Sequence, residues 1–507
     1  MQNFIKSDKG IILLLILIFC LILPFFFLHQ GLLLIDTGRE FYIPQQILQG
    51  KVLYKDIFNI YGPLSYQFNA ILLFLFGQKI NTLYFAGIIN SLIIIITLYL
   101  LAREFLKKHI CFLFSILIMF SLVFTTFLYN SNLTYSFAII YALSSFLISV
   151  LFLIKYIKNG NAQMAYLSCL FAGLSITNKY EFSLYPLVLA YVLIFVKPIG
   201  IKNIIKSFGC FILTPFISFG YILLQGININ QIKDTIILFQ NLINAPTLKI
   251  FFLKVGVFFD FSYIKHLILQ NKIFAIFGII PLINLIIFLI NIKKLYENKP
   301  LFILLLCAIT ASAKSFFYLN VNHMGIFIFP ICSLALTILI SKYYEKFIPI
   351  FLSACILLFA AEDFSSLEYK NYLLKTHKGN IYTFKKDGEP IKKVSDFITN
   401  NTKDTDKTVV LPEGCFINFI TERKGDDFYY NLSPLFYNDV FGEKRIIKHF
   451  KENPPEYFVI LPINNIEYGS SYFGIDYAQN FYEMIINNYD IVKKENDIKI
   501  FKRKKIE

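Results

Sequence analysis

Asp36 and Glu40 stand four residues apart just after the first apolar run, with Arg39 beside Glu40. On a helical start that spacing puts both carboxylates on one face, within reach of a common ligand. A carboxylate so placed can take the proton from an acceptor hydroxyl, or hold the acceptor or a divalent ion. Glu40 can equally serve the fold, because Thr37-x-x-Glu40 is a capping-box pattern. Arg39 suits bidentate contact with a phosphate, while Lys179 and Lys314 offer point charges in short connections. Lys314 lies in an otherwise apolar run, where an ionisable residue is a functional candidate. Lys179 beside Glu181 can instead be a salt-bridged turn, and His323 can be a proton carrier or, as a lone His at a span edge more often is, a hydrogen-bonding neighbour. With Asp56 and Tyr61 they complete the set of residues that could line such a site.

These carboxylates stand out because acids are scarce around them. Residues 1–361 carry 10 Asp and Glu against 26 Lys and Arg, whereas residues 362–507 carry 23 against 22. The chain is 56% hydrophobic with a mean hydropathy of +0.61. Its apolar runs approach the ~20 residues needed to cross a bilayer, which indicates a polytopic membrane protein. The first run, Gly10 to Leu28, follows Lys6 and Lys9 and has no small-residue cleavage site, so it reads as a retained signal anchor.

Eleven spans are expected, near 10–30, 80–102, 110–129, 133–154, 163–178, 182–196, 207–225, 273–292, 300–318, 324–341 and 347–361. Lys and Arg cluster in every second connection, from Arg103, Lys107 and Lys108 to Lys342 and Lys346. That alternation predicts a cytoplasmic amino terminus and an extracytoplasmic carboxyl terminus. It places Asp36, Glu40, Asp56, Glu181, Asp234 and Asp260 outside. The outer face also carries surplus cations, which suits a phosphate-bearing lipid, although long lysines can merely reach for headgroups.

The first outer loop, 31–79, is too long and apolar for a plain connection. It predicts one short helix from the Thr37 region to Gly50, which Pro44 kinks or shifts, and a second from Pro63 through Phe76 lying in the membrane interface. A second outer region, 226–271, predicts another surface helix or a loop over a site. Beyond 361, strands are expected at Thr408–Leu411 and Tyr457–Leu461, a helix at Glu443–Glu452 and a hairpin from Ile491–Lys494 and Ile498–Lys502. This reads as a small α/β domain. Cys415 is its one cysteine, so it holds no internal disulfide, and no Cys/His metal spacing occurs.

The pattern Asp36-x-Gly38-x-Glu40, then Gln49-Gly50-Lys51-Val52-Leu53-Tyr54-Lys55-Asp56, Tyr61-Gly62-Pro63-Leu64-Ser65-Tyr66 and Phe76-Gly77 resembles the first outer loop of the dolichyl-phosphate-mannose protein mannosyltransferase-like (PMT-type) glycosyltransferases. These are integral-membrane enzymes of the GT-C fold. The resemblance implies an all-α polytopic membrane domain (1–361) with about eleven transmembrane helices and a small extracytoplasmic α/β domain (362–507). It implies a sugar moved from a polyprenyl-phosphate carrier to a glycan, lipid or protein acceptor on the extracytoplasmic side, usually with inversion. The family's acidic residue of the first outer loop, base or acceptor-positioning group, maps onto Asp36. Many eukaryotic members carry two adjacent acids there, whereas here Thr37 follows Asp36.

The expectation is a multi-pass enzyme of a bacterial plasma (inner) membrane, part of the cell envelope, with Asp36 and Glu40 as catalytic candidates and Arg39, Lys179 and Lys314 on the donor phosphate. Nothing recommends nucleic-acid binding, and a soluble nucleotide loop is not needed when the leaving group is a lipid phosphate. Metal use stays open between a dry acid/base role and one weakly held divalent cation. The rivals are a lipid-linked oligosaccharide ligase or polymerase, a flippase or transporter of lipid-linked sugars, and a glycan-binding receptor. A transporter would place charges at mid-membrane rather than at the outer face.

Overall fold

The computed structural model describes residues 7–126, 130–255, 272–313, 321–495 and 497–505, with the side chains of 252–255, 272–279 and 321–328 left aside. Lys314, Asp260 and the side chain of His323 lie outside the described residues. Helices stand at all eleven places that the apolar runs mark. Among the described residues, five are long and apolar enough to cross a membrane: Asp8–Phe26, Ile80–Arg103, Phe137–Asn159, Ile201–Leu224 and Ile348–Tyr369. On the first, Leu13, Leu17 and Leu21 are exposed at a spacing of four, while Leu15, Phe19 and Phe26 are fully buried. One apolar ridge thus faces outward and the other packs into the bundle, as a membrane helix at a bundle edge requires.

Between the π turn Met119–Val123 and helix Phe137–Asn159 the chain is irregular, yet Asn130, Ser131, Asn132, Thr134 and Ser136 are fully buried. Non-helical backbone survives inside such a bundle only where its polar groups find partners. Gln30 supplies several: its amide donates to the carbonyls of Val123 (2.6 Å) and Thr125 (3.0 Å), and its oxygen accepts from Tyr84 (3.0 Å) and Asn132 (3.1 Å). Ser91 adds bonds to Ser131 and Asn132.

Above this platform lie helices Asp36–Leu48 and Leu64–Phe76, packed on each other. The expected capping box does not form. The first helix starts without a side-chain cap, and Thr37 is already its second residue. Thr37 Oγ1 instead accepts from the Leu32 N–H (2.9 Å) and donates to the Thr134 carbonyl (3.3 Å), so tertiary partners outcompete the local cap. Pro44 sits inside the helix without ending it, and the chain turns away at Gly50 with φ +87. Helix Leu64–Phe76 opens after Pro63 and leaves Phe68, Ile71, Phe74 and Leu75 exposed. The second outer region forms two helices, Ile229–Asn244 and Pro246–Val255.

The C-terminal part is mixed. An antiparallel hairpin, β1 (Tyr372–Thr376) and β2 (Gly379–Thr383), precedes a four-stranded sheet of β3 (Thr408–Leu411), β4 (Tyr457–Ile460), β5 (Tyr489–Glu495) and β6 (Ile498–Arg503). Its order is β3-β4-β6-β5, with β3 and β4 parallel and the other pairs antiparallel. Helix Glu443–Glu452, β3, β4 and the β5–β6 pair stand where the sequence places them. The β1–β2 hairpin was not anticipated. It stitches this part to the bundle: the Tyr382 N–H donates to the Leu28 carbonyl (2.9 Å), and the Ile80 N–H to the Lys378 carbonyl (3.0 Å). Nearby, buried Lys370 donates to the carbonyls of Gly31 (2.8 Å) and Thr126 (2.7 Å).

Helix Cys415–Thr421 docks directly on helix Asp36–Leu48, and Gly38 makes the close approach feasible. A Cβ on Gly38 would lie 2.3 Å from the Leu33 carbonyl oxygen and 2.8 Å from the Phe416 amide nitrogen. Gly38→Ala is therefore expected to lower the unfolding midpoint of the purified chain, by about 1–3 kcal/mol of overpacking. Gly209→Ala, where a Cβ meets nothing within 4 Å, is the control and should not lower it. Equal midpoints for the two variants would show that this contact is not tight.

Candidate functional site

The first turn of helix Asp36–Leu48 lies against the backbone that leads into helix Phe137–Asn159. Its three polar side chains after Asp36 each take a partner there. Thr37 reaches the Thr134 carbonyl, the Arg39 guanidinium donates to the Tyr135 carbonyl at 3.0 Å, and Glu40 Oε2 accepts from the Phe137 N–H at 2.8 Å. Glu40 therefore caps a helix, but a different one from its own. Its other oxygen accepts from the Tyr66 hydroxyl at 2.8 Å and stands 3.5 Å from Arg39 Nε. Glu40 is fully buried, and so is the Arg39 head save a few per cent.

Asp36 differs from its neighbour. Its carboxylate lies 3.3 Å from the Arg39 guanidinium and keeps 24% of its side chain exposed. It is the reachable acid of the pair. Burial raises its pKa above the ordinary aspartate value, and Arg39 and Lys179 oppose that shift. A carboxylate so poised holds a proton better than a free aspartate while remaining beside two cations.

Tyr61 brings the second cation in. The Tyr61-Gly62-Pro63 turn presses on the end of helix Ala162–Asn178, where the Gly62 N–H donates to the Asn178 carbonyl (3.1 Å). A Cβ on Gly62 would lie 1.9 Å from the Thr177 carbonyl oxygen, so glycine is required by space. The turn sets the Tyr61 ring between Lys179 Nζ, 3.7 Å from its centroid, and the Arg39 guanidinium at 5.0 Å. An aromatic face holds cations electrostatically in a poorly solvated place. Glu181 Oε1 lies 3.6 Å from Lys179. Asp36, Arg39, Glu40, Tyr61, Lys179 and Glu181 are thus assembled around one point.

Asp56 is not part of that cluster. Its carboxylate accepts from the Val52 N–H at 2.9 Å and closes the 51–57 turn. Two features of the site were not read from the sequence. Tyr42 donates to Asp427 at 2.7 Å and accepts from the Gly425 N–H, and Lys51 lies 3.3 Å from the same Asp427, which ties the loop to the C-terminal part. Glu413, on the turn after β3, is a buried acid near Asp36 and Arg39. The end of a parallel strand is where α/β units place functional groups, and that was the available signal. Among the described residues, no three His, Cys, Asp or Glu side chains come together to hold a metal ion.

Glu40 separates structural from chemical roles. Both its oxygens accept from donors, so an amide there would turn an N–H toward one of them. Glu40→Gln should cost about 1–3 kcal/mol of stability, whereas Asp36→Asn, which faces solvent, should shift the unfolding midpoint much less. A midpoint unchanged in Glu40→Gln would remove Glu40 from this structural role.

Comparison with known proteins bears on the family and the fold. The family described as dolichyl-phosphate-mannose-protein mannosyltransferase matches residues 62–221. The structure of ArnT from Cupriavidus metallidurans bound to undecaprenyl phosphate is similar at a TM-score of 0.56 and 10% identity, over 98% of each chain. The Archaeoglobus fulgidus oligosaccharyltransferase in the apo form is similar at a TM-score of 0.51 and 12% identity, over 89% of this chain and 70% of that one. At such identities the likeness to these structures is one of fold. No curated protein sequence matches. The resemblance to the PMT-type glycosyltransferases, read first from residues 36–77, is borne out as a resemblance by the family match over residues 62–221 and by the shared fold.

Proposed function

We propose that this protein moves a sugar from a polyprenyl-phosphate carrier to a hydroxyl-bearing acceptor on the extracytoplasmic side of the membrane. The observation that carries this reading is the convergence of one part-exposed carboxylate, Asp36, with the cations Arg39 and Lys179 around the Tyr61 ring. The ArnT whose fold this chain shares binds undecaprenyl phosphate, a ligand of the same chemistry.

In this reading the acceptor oxygen attacks the anomeric carbon while the bond from that carbon to the phosphate oxygen breaks. Asp36 takes the acceptor's proton, and the lipid phosphate leaves with the bonding electrons. Lys179 is the donor-phosphate contact. Arg39, already bonded to Tyr135, Asp36 and Glu40, orients Asp36 and adds charge toward the same phosphate. Glu40 holds Arg39 and the 134–137 backbone in place, and Glu181 steadies Lys179. Residues 1–361 form the transmembrane catalytic part and 362–507 an extracytoplasmic α/β part.

Asp36→Asn should leave abundance and folding intact and reduce turnover about 10²–10⁴-fold, the usual contribution of general acid-base catalysis. The assay follows sugar release from a polyprenyl-phosphate donor by the reconstituted protein, and near-full activity in the variant would exclude Asp36 as the base. Sidedness has its own test. Cys415 is too buried for labelling, but the Lys448 side chain is 76% exposed on helix Glu443–Glu452. In a cysteine-free background, Lys448→Cys should react with an impermeant maleimide added to intact cells. Reaction only after lysis would reverse the orientation.

A further inference from the structure

The C-terminal part brings one more ionisable group to the site. Strand β3 ends at Leu411, and the chain passes through Pro412 to Glu413, whose backbone is bridged to Asn431 and which is 8% exposed. The Leu432 N–H donates to the Pro412 carbonyl at 2.8 Å and holds the same turn. Three residues further, Phe416 rests on Gly38 so closely that no side chain fits between them. Glu413 is therefore carried by fixed backbone to the first turn of the Asp36 helix. The titratable groups facing it are Asp36 and Arg39 from that helix, Glu467 and Tyr477 from a later loop, and Cys415 on its own segment.

We propose that Glu413 is a positioning residue of the transfer site, the group by which the C-terminal part sets the net charge that Arg39 and Lys179 present to a lipid phosphate. This rests on the reading of the site as one for polyprenyl phosphate. Burial, reinforced by the Asp36 charge, pushes the Glu413 carboxyl up to about 8. Burial drives Cys415 and Tyr477 well above that range, so neither changes charge with it. At neutral pH Glu413 is mostly protonated and adds no negative charge to those of Asp36, Glu40 and Glu181 already beside the two cations. At higher pH a carboxylate appears beside Arg39 and works against the phosphate. The ligand's own second ionisation has its midpoint at about pH 6, and its completion adds negative charge, so it cannot weaken binding on the alkaline side.

The test titrates the detergent-solubilised full chain with undecaprenyl phosphate from about pH 6.5 to about pH 9, in wild type, Glu413→Gln and Glu413→Ala. Wild-type affinity is expected to fall about tenfold across that range, the order of effect of one charge added in the neighbourhood of Arg39. Glu413→Gln, which keeps the shape, should hold its affinity nearly constant, and Glu413→Ala should do the same if it folds. A second readout is independent of the lipid. Because the folded chain binds this proton more tightly than the unfolded one, wild-type stability should fall as pH rises from 4.5 through about 8, and Glu413→Gln should lessen that fall. Parallel affinity curves for wild type and Glu413→Gln would overturn the proposal. Absence of undecaprenyl phosphate binding by wild type at every pH would overturn the transfer reading itself, and this inference with it.

Discussion

Everything at the site depends on one buried carboxylate. Glu40 accepts from the Tyr66 hydroxyl and from the Phe137 N–H while standing beside the Arg39 guanidinium. A charge removed from water is tolerated only when it is paired and its lone pairs are satisfied, and removing one partner leaves the other stranded. That constraint fixes the rotation of helix Asp36–Leu48, because Glu40 can meet Phe137 and Tyr66 together in only one orientation. Asp36, one turn earlier on the same face, is thereby left at the open side with Arg39 beside it. The irregular 130–136 segment is held from below by Gln30 and Ser91 and from above by Thr37 and Arg39, so the platform and the site stabilise each other.

Much of this was legible in the sequence, for physical reasons. Apolar runs near bilayer length announce helices: one stands at each of the eleven places, and among the described residues five are long and apolar enough to cross a membrane. Strands β3 and β4 are short apolar runs between turn residues, and both faces of each are buried. Asp36 stood out because acids are rare in the first 361 residues. What failed was local inference applied where distant partners decide. Thr37 and Glu40 have capping-box spacing, but backbone groups about a hundred residues away make better partners. Asp56 looked like a third carboxylate of the site and instead closes its own turn. The β1–β2 hairpin carries little alternation of apolar and polar residues, since its stability comes from docking on Leu28 and Ile80. Asp427 was invisible because no local pattern links it to the first outer loop, and for Glu413 the only signal was its place at the end of a strand.

The arrangement also shows why one aromatic residue matters to two cations. Tyr61 is anchored by the Asn59 amide, which donates to its carbonyl at 2.8 Å, and by the close packing of Gly62 on Thr177. Its ring holds Lys179 and Arg39 near each other, while Asp36 and Glu40 pair with Arg39 and Glu181 with Lys179. Two cations so held favour the phosphate of the donor, which carries one charge as a sugar diester and gains a second as it leaves. The C-terminal part completes the enclosure through Phe416 on Gly38 and Asp427 on Tyr42.

The central claim is that Lys179 and Asp36 face one lipid phosphate and its sugar from two sides. The most direct measurement is a cryo-electron microscopy map of the full chain with undecaprenyl phosphate added. The account predicts phosphate density within hydrogen-bond reach of Lys179, with the Asp36 carboxylate directed at the space where the anomeric carbon of a donor would sit. Phosphate density at a different end of the bundle, with Asp36 shut off from it by protein, would contradict it.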